Sequence, residues 1–170
     1  MPGSPPRDIR MNIYGGGTII GLCEALRERI GEATETLRLK TEDKHAPARK
    51  PVIVNGFLPP KRSIDGPENP FVIVRPSEGQ IPSDGFSRVS VSVIVGTYSE
   101  EFDGHEYALI VFQRIMQSLR EKPTLANRYT LEYPLKWNLY DDQPYPFWQM
   151  VMTTEWVVPT PVMLPDEGVI

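Results

Sequence analysis

The sequence predicts an α+β domain in which a mostly antiparallel sheet of four to five strands carries two main helices on one face. The clearest observation is the segment 128–158, where apolar and polar residues alternate over two long runs, as they do in a β-hairpin. Two other segments, 18–39 and 104–122, place apolar residues three or four positions apart, which is typical of helices. The helices are not regularly interleaved with the strands, and this favours α+β over α/β.

The length and composition fit a single domain. The chain has 170 residues, of which 40% are hydrophobic, enough for one core but not for two comfortable ones. We expect residues 1–10, rich in proline and glycine, to be a disordered tail or a vector-derived remnant, because Met11 would serve as a start. The domain then covers 11–160 with a flexible basic loop at 40–62, and 161–170 form an extended tail.

The first predicted helix covers 18–39, after a run of three glycines. Thr18 is the expected N-cap, because its hydroxyl can accept a hydrogen bond from a free backbone N–H. Cys23 lies on the apolar face, which favours a small buried thiol over a nucleophile. The apolar positions are Ile19, Cys23, Leu26, Ile30, Ala33 and Leu37.

Three short apolar runs predict the first strands. "PVIVNGFLPP" and "NPFVIVRP" are β-branched and bounded by prolines. "SRVSVSVIVGTY" alternates valine with serine and arginine, which indicates one buried and one wetter face. The polar stretch "SEGQIPSDG" between the last two predicts a loop.

The second predicted helix covers 104–122. Its apolar residues recur at helical spacing, and Pro123 follows its end. Asp103 is the expected cap at its start, where acidic side chains favour the helix dipole.

The C-terminal hairpin is predicted to have two strands joined by the link "DDQPYP". An eleven-residue strand reaches about 35 Å, close to the span of a whole small domain. Such length predicts that part of it pairs with, or is covered by, another copy of the chain. We expect the aromatic and acidic residues here to form an oligomer or partner interface, although a purely core role for the tryptophans is the alternative. These residues are Trp137, Tyr140, Asp141, Asp142, Tyr145, Trp148 and Trp156.

Charge is unevenly distributed along the chain. The net charge of −4 and the pI near 5.3 argue against a general nucleic-acid-binding protein. Yet segment 38–62 has seven basic and two acidic residues, whereas 63–170 has seven basic and fifteen acidic ones. This basic segment is either a solvated loop or a contact for DNA or an acidic partner. Its candidate residues are Lys40, Lys44, Arg49 and Lys50.

Candidate catalytic groups are few. His105 beside Asp103 lacks further partners at ligand spacing, and the glycine-rich "GGGTIIG" lacks the βαβ surroundings of a nucleotide site. Asp141 and Asp142 could hold a divalent cation, but their place in a hairpin link with two prolines favours turn chemistry. We therefore expect no enzyme activity, no cofactor and no bound metal.

The single cysteine and the lack of a long apolar run predict a protein kept in a reducing cytoplasm, without a membrane partner.

The ordered set "NPFVIVRP", "VSVSVIVGTYSEEFDGHEYALIVFQRIMQSLRE" and "LEYPLKWNLYDDQPYPFWQMVMTTEWVVP" resembles the tail terminator, or tail completion, proteins of long-tailed bacteriophages and prophages. The similarity covers about residues 70–160, with a weaker match over the first helix. It implies a small α+β protein without a cofactor that forms a homo-oligomeric ring, typically a hexamer, on the finished tail tube. The implied partners are the tail-tube protein and a head-completion or neck protein, with passing DNA only as a non-specific contact in the ring's lumen. The implied location is the neck of the virion, after assembly in the host cytoplasm.

Two other functions stay open at the level of sequence. One is a small-molecule-binding or catalytic domain with a pocket between the second helix and the sheet. The other is an accessory protein that holds nucleic acid through the basic loop, with an affinity that falls steeply with salt.

Overall fold

The computed structural model describes residues 17–60, 66–83 and 85–159. The predicted tails at 1–10 and 161–170, and the basic residues Lys61 and Arg62, lie outside the described residues. The elements in chain order are α1 (Ile19–Ala33), β1 (Val52–Asn55), β2 (Phe71–Gln80), β3 (Phe86–Tyr98), α2 (His105–Glu121), β4 (Thr124–Leu125), β5 (Tyr129–Leu139) and β6 (Phe147–Pro159).

The predicted α+β class is confirmed. The described residues form one six-stranded sheet, curled into a half-barrel, with strand order β1-β2-β3-β6-β5-β4. β1 runs parallel to β2 and every other pair is antiparallel. The sheet therefore has one strand more than the upper limit predicted, because the two-residue β4 adds an edge that no alternation could reveal.

The core lies between the sheet and the two helices. Alternate residues of the central strands point to the helices and are buried with the apolar faces of α1 and α2 in a single cluster. The strand residues in it include Val89, Val91, Val93 and Val95 of β3 and Met150, Met152, Trp156 and Val158 of β6. Period-two burial in β3 and β6 is what the sequence predicted for a sheet with one covered face.

The first helix is shorter than expected. Thr18 accepts a hydrogen bond from the N–H of Gly21 at 2.9 Å, which confirms the predicted N-cap. The helix ends at Ala33 rather than near 39, and the Thr34 hydroxyl donates back to the Ile30 carbonyl at 2.8 Å. Leu37 is still buried, but as part of an extended segment that forms a bridge between Leu39 and Arg49.

The first four residues of the segment 77–85, predicted as a loop, are strand. β2 continues to Gln80 because its backbone pairs with β3, as in the pairs Glu78–Ser90 and Gly79–Val89. The side chains from Ser77 to Gln80 are exposed, so no apolar alternation marked this extension. Backbone pairing alone sets it.

The second helix has nearly the predicted bounds, but its predicted cap is wrong. The N-cap is Gly104, and it makes no side-chain cap hydrogen bond. Asp103 contributes its backbone carbonyl, which accepts from the N–H of Glu106 at 2.9 Å. The start of α2 is instead positioned by packing: a Cβ added to Gly104 would meet the indole of Trp148.

Candidate functional site

Three aromatic side chains of the outer strand β5 and of the link that follows it are about half exposed. Tyr133 is 57% exposed, Trp137 56% and Tyr140 48%. We call Tyr133, Trp137 and Tyr140 the outer aromatic row. Two of the three, Trp137 and Tyr140, are among the interface candidates that the sequence indicates, whereas Tyr133 is not.

The pairing of β5 with β6 is irregular at the point where the outer aromatic row begins. Glu132 of β5 pairs with Glu155 of β6, but Lys136 pairs with Thr153, so residues 133–135 lie opposite the single residue Thr154. This local excess of residues lifts the middle of β5 away from a regular ladder. Trp137 then packs against Phe112 of α2, with ring centroids 5.8 Å apart, while more than half of its surface stays open.

The outer edge of β5 is covered only at its beginning. β4 pairs with Tyr129 and Thr130, and the N–H of Leu131 donates to the Pro123 carbonyl at 2.8 Å. Beyond Leu131, no strand among the described residues pairs with this edge. Pro134, Lys136 and the register shift are features that prevent uncontrolled edge-to-edge pairing.

Trp156 does not belong to any surface of the subunit. It is fully buried, and its indole N–H donates to the Thr154 hydroxyl at 2.7 Å. The prediction that Trp156 contributes directly to an interface is therefore wrong. Trp156 alternates in step with Trp137, but β6 lies inside the sheet, between β3 and β5, and α2 packs on its apolar face.

Trp148 and Tyr145 lie at the start of α2 instead of on the outer aromatic row. The Trp148 indole donates to the Ser99 carbonyl at 2.9 Å, and the Tyr145 hydroxyl donates to the Glu100 carbonyl at 2.8 Å. Their rings are 6.1 Å apart and edge-on. Both residues thus hold the loop between β3 and α2, with Tyr145 61% exposed.

The link between β5 and β6 is organised by a glutamine that the sequence did not single out. The Gln143 amide donates to the carbonyls of Tyr140 and Gln149, both at 2.9 Å, and its oxygen accepts from the Gln149 N–H at 2.8 Å. Asp141 and Asp142 are exposed in this turn. The described residues contain no group of three or more His, Cys, Asp or Glu side chains placed to hold a metal ion.

Three of the four basic candidates make contacts within the subunit. Lys50 binds the Glu35 carboxylate at 3.0 Å, and Arg49 donates to the Pro67 carbonyl at 2.8 Å. Lys40 lies 3.8 Å from Glu101. Lys40 and Lys44 also line a cavity of about 570 Å³ next to the loop that precedes α2. Lys40, Arg49 and Lys50 are therefore engaged within the subunit.

The candidate catalytic residues His105 and Asp103 lie at the start of α2. His105 is half-buried beside Trp148, and Asp103 is exposed. The side of α2 that faces the sheet is filled by the buried residues Ala108, Val111 and Ile115. Burial raises the pKa of the Cys23 thiol to about 11, with a smaller effect from Glu24, so this thiol stays protonated at neutral pH.

Comparison with models of known protein families gives no match, and no curated protein sequence matches the chain at a significant level. Neither helix of the described ranges combines the length and the apolar character that crossing a bilayer requires.

Proposed function

We propose that this chain is a non-enzymatic assembly protein that associates with copies of itself, and that it acts as a tail terminator of a long-tailed phage or prophage. In this role a ring of subunits, typically six, caps the finished tail tube and joins it to the head. The resemblance of residues 70–160 supplies the class of protein. The observation that supports self-association is the exposure of the outer aromatic row.

The row has the composition of an interface. Tyrosine and tryptophan are enriched where proteins meet, because each contributes a large apolar area and a polar tip. Leaving Tyr133, Trp137 and Tyr140 about half exposed along one strand and its link is unfavourable for a protein that stays monomeric. Burial against a second subunit removes this cost.

Self-association is expected through side chains rather than by extension of the sheet. Pro134 lacks a backbone donor and Lys136 places a charge along the open edge of β5, so another strand pairs poorly there. A side-chain contact between two different surfaces, repeated by a rotation that returns to the first subunit, closes into a ring. An edge-to-edge contact could instead continue without limit.

The charge distribution suits a ring through which DNA passes. The region after 63 has an excess of acidic residues, and an acidic lumen avoids the multiple phosphate contacts that make DNA binding tight and salt-sensitive. The neighbours in this proposal are the tail-tube protein and a head-completion or neck protein.

The direct test of the biological role is deletion of the gene from a phage or prophage that carries it, followed by electron microscopy of the lysate. We expect tails of irregular, excessive length that lack heads, and recovery of normal particles when the gene is supplied on a plasmid. Tails of normal, capped length without the gene would refute the role.

Self-association is tested separately on the purified chain. Tyr133→Lys adds a charge at the open part of β5, whereas Thr130→Lys makes the same kind of change where β4 already covers the edge. Mass photometry should show a ring-sized oligomer for the wild type and for Thr130→Lys, and mainly monomer for Tyr133→Lys. If the wild type is a monomer at high concentration, the outer aromatic row no longer supports self-association.

A further inference from the structure

Phe102 lies in the loop between β3 and α2 and projects fully into solvent. Its relative exposure is 105%, the highest of the large apolar side chains in the described ranges. A phenylalanine in this position leaves its whole apolar surface in water, which is unfavourable. The outer aromatic row does not include it, and nothing in the proposed ring explains it.

The exposure of Phe102 is not a consequence of a loosely held loop. Ser99 is held on both sides, since its N–H donates to Pro146 at 3.0 Å and its carbonyl accepts from the Trp148 indole. The N–H of Glu101 donates to the Ser99 hydroxyl at 3.1 Å, and the Glu101 carbonyl accepts from Gly104 at 3.1 Å.

Two tyrosines fix the glutamates of the same loop. The Tyr98 hydroxyl donates to the Glu100 carboxylate at 2.7 Å, and the Tyr107 hydroxyl donates to that of Glu101 at 3.0 Å. These hydrogen bonds raise the pKa of both tyrosines, so the phenols stay protonated donors. The loop is therefore pre-organised on its inner side, which reduces the entropy lost when the outer side binds a partner.

The surroundings of Phe102 are acidic. Glu100, Glu101, Asp103 and Glu106 are all exposed within four positions of it. Such a surface repels the phosphates of nucleic acids and of anionic lipids, and it attracts a protein surface with lysine or arginine around an apolar socket.

We propose that Phe102 and the acidic loop around it form a docking knob for a second, different protein, whose surface has an apolar socket flanked by lysine or arginine. The described basic segment of another copy is a poor occupant, because Lys50 and Arg49 are already bound within their own subunit and Lys40 faces Glu101. This inference does not depend on the ring, since it uses a different surface and a different partner.

The test is site-specific photo-crosslinking of the full chain in the cells that make it. Phe102→p-benzoylphenylalanine should cross-link mainly to one protein, at a peptide with apolar residues next to lysine or arginine. The same replacement at Ile81, which is 82% exposed on the β2–β3 turn, is the matched control and should not label that peptide. That protein, once purified, should bind Phe102→Ala about 10- to 30-fold more weakly than the wild type, and Phe102→Leu within about threefold. Its dissociation constant should rise with salt.

Several outcomes would overturn the inference. These are cross-links from position 102 to the chain itself, to nucleic acid or to many proteins equally, the absence of any cross-link, or unchanged binding by Phe102→Ala. Oligomer size in Phe102→Ala, measured by mass photometry, should equal that of the wild type. A loss of the oligomer in this variant would instead assign Phe102 to the self-contact, and failure of the ring proposal alone would leave the knob result intact.

Discussion

The inner strand pair β3–β6 and the outer strand β5 have the same alternating pattern but different structures. β3 and β6 pair without interruption over 13 residues each, from Phe86–Pro159 to Tyr98–Phe147, and their alternate side chains are buried under the helices. β5 loses register after Glu132, and Tyr133 and Trp137 stay more than half exposed. Alternation therefore predicts a strand, whereas the neighbours of that strand decide whether its apolar face becomes core or surface.

The largest expected difference in the free energy of unfolding is between alanine variants of two tryptophans of the hairpin. Trp156→Ala in β6 removes a fully buried indole and should lower the free energy of unfolding by about 3 to 5 kcal/mol. Trp137→Ala in β5 loses only part of an exposed ring and its contact with Phe112, so a decrease of about 1 kcal/mol is expected. Chemical denaturation of the monomeric Tyr133→Lys background would measure both. Equal losses would show that β5 is as much part of the core as β6.

The second contrast concerns how closely side chains pack against β3, one strand of the inner pair. A Cβ added to Gly96 of β3 would overlap the ring of Phe71 on the neighbouring strand, so Gly96→Ala should destabilise the fold by about 1 to 3 kcal/mol. Gly31→Ala in α1 meets nothing within 4 Å and should increase stability by about 0.5 to 1 kcal/mol, because alanine favours helix. Thermal unfolding of the two variants gives the comparison. A harmless Gly96→Ala would mean that the inner sheet is less closely packed than its register implies.

The third contrast tests polar groups inside the inner pair. Thr154 donates to the Val91 carbonyl at 2.8 Å and accepts from Trp156, and all of these groups are buried. Thr154→Val leaves the indole N–H without its acceptor and should lower the free energy of unfolding by about 1 to 3 kcal/mol. Thr153→Val, one residue earlier on the half-buried opposite face, should change it by less than about 0.5 kcal/mol. Similar values for the two variants would contradict the assignment of faces in β6.

Most of the fold was predictable because its signals are local. The N-cap at Thr18, the bounds of α2, and the alternation of β3 and β6 all depend on residues close in sequence. The early end of α1 and the extension of β2 to Gln80 depend on packing and pairing with distant residues, which no local pattern shows.

The candidate site was predictable only in part, because the exposure of its residues also depends on parts of the chain that are distant in sequence. Trp137 and Trp156 have the same residue type and alternation phase, so only the strand order, with β6 inside and β5 near the edge, separates surface from core. Gln143 and Phe102 gave no periodic signal. The sequence of Phe102 and its acidic neighbours, "SEEFDGHE", could have indicated an exposed knob, since a lone aromatic among acidic residues rarely belongs to a core.

The smallest expected effect concerns the contact that joins the two regions. Arg88 of β3 reaches across β6 to form an ion pair with Glu132 of β5, at the last regular position before the register shifts. Because half of the Arg88 side chain and about a third of that of Glu132 are exposed, water and salt screen the pair strongly. Glu132→Gln should therefore change the free energy of unfolding by less than about 0.5 kcal/mol, and by still less at high salt. Denaturation at low and high ionic strength provides the measurement. A loss of several kcal/mol that disappears with salt would show that charge, rather than the paired backbone and the buried Leu131, holds β5 on the inner pair.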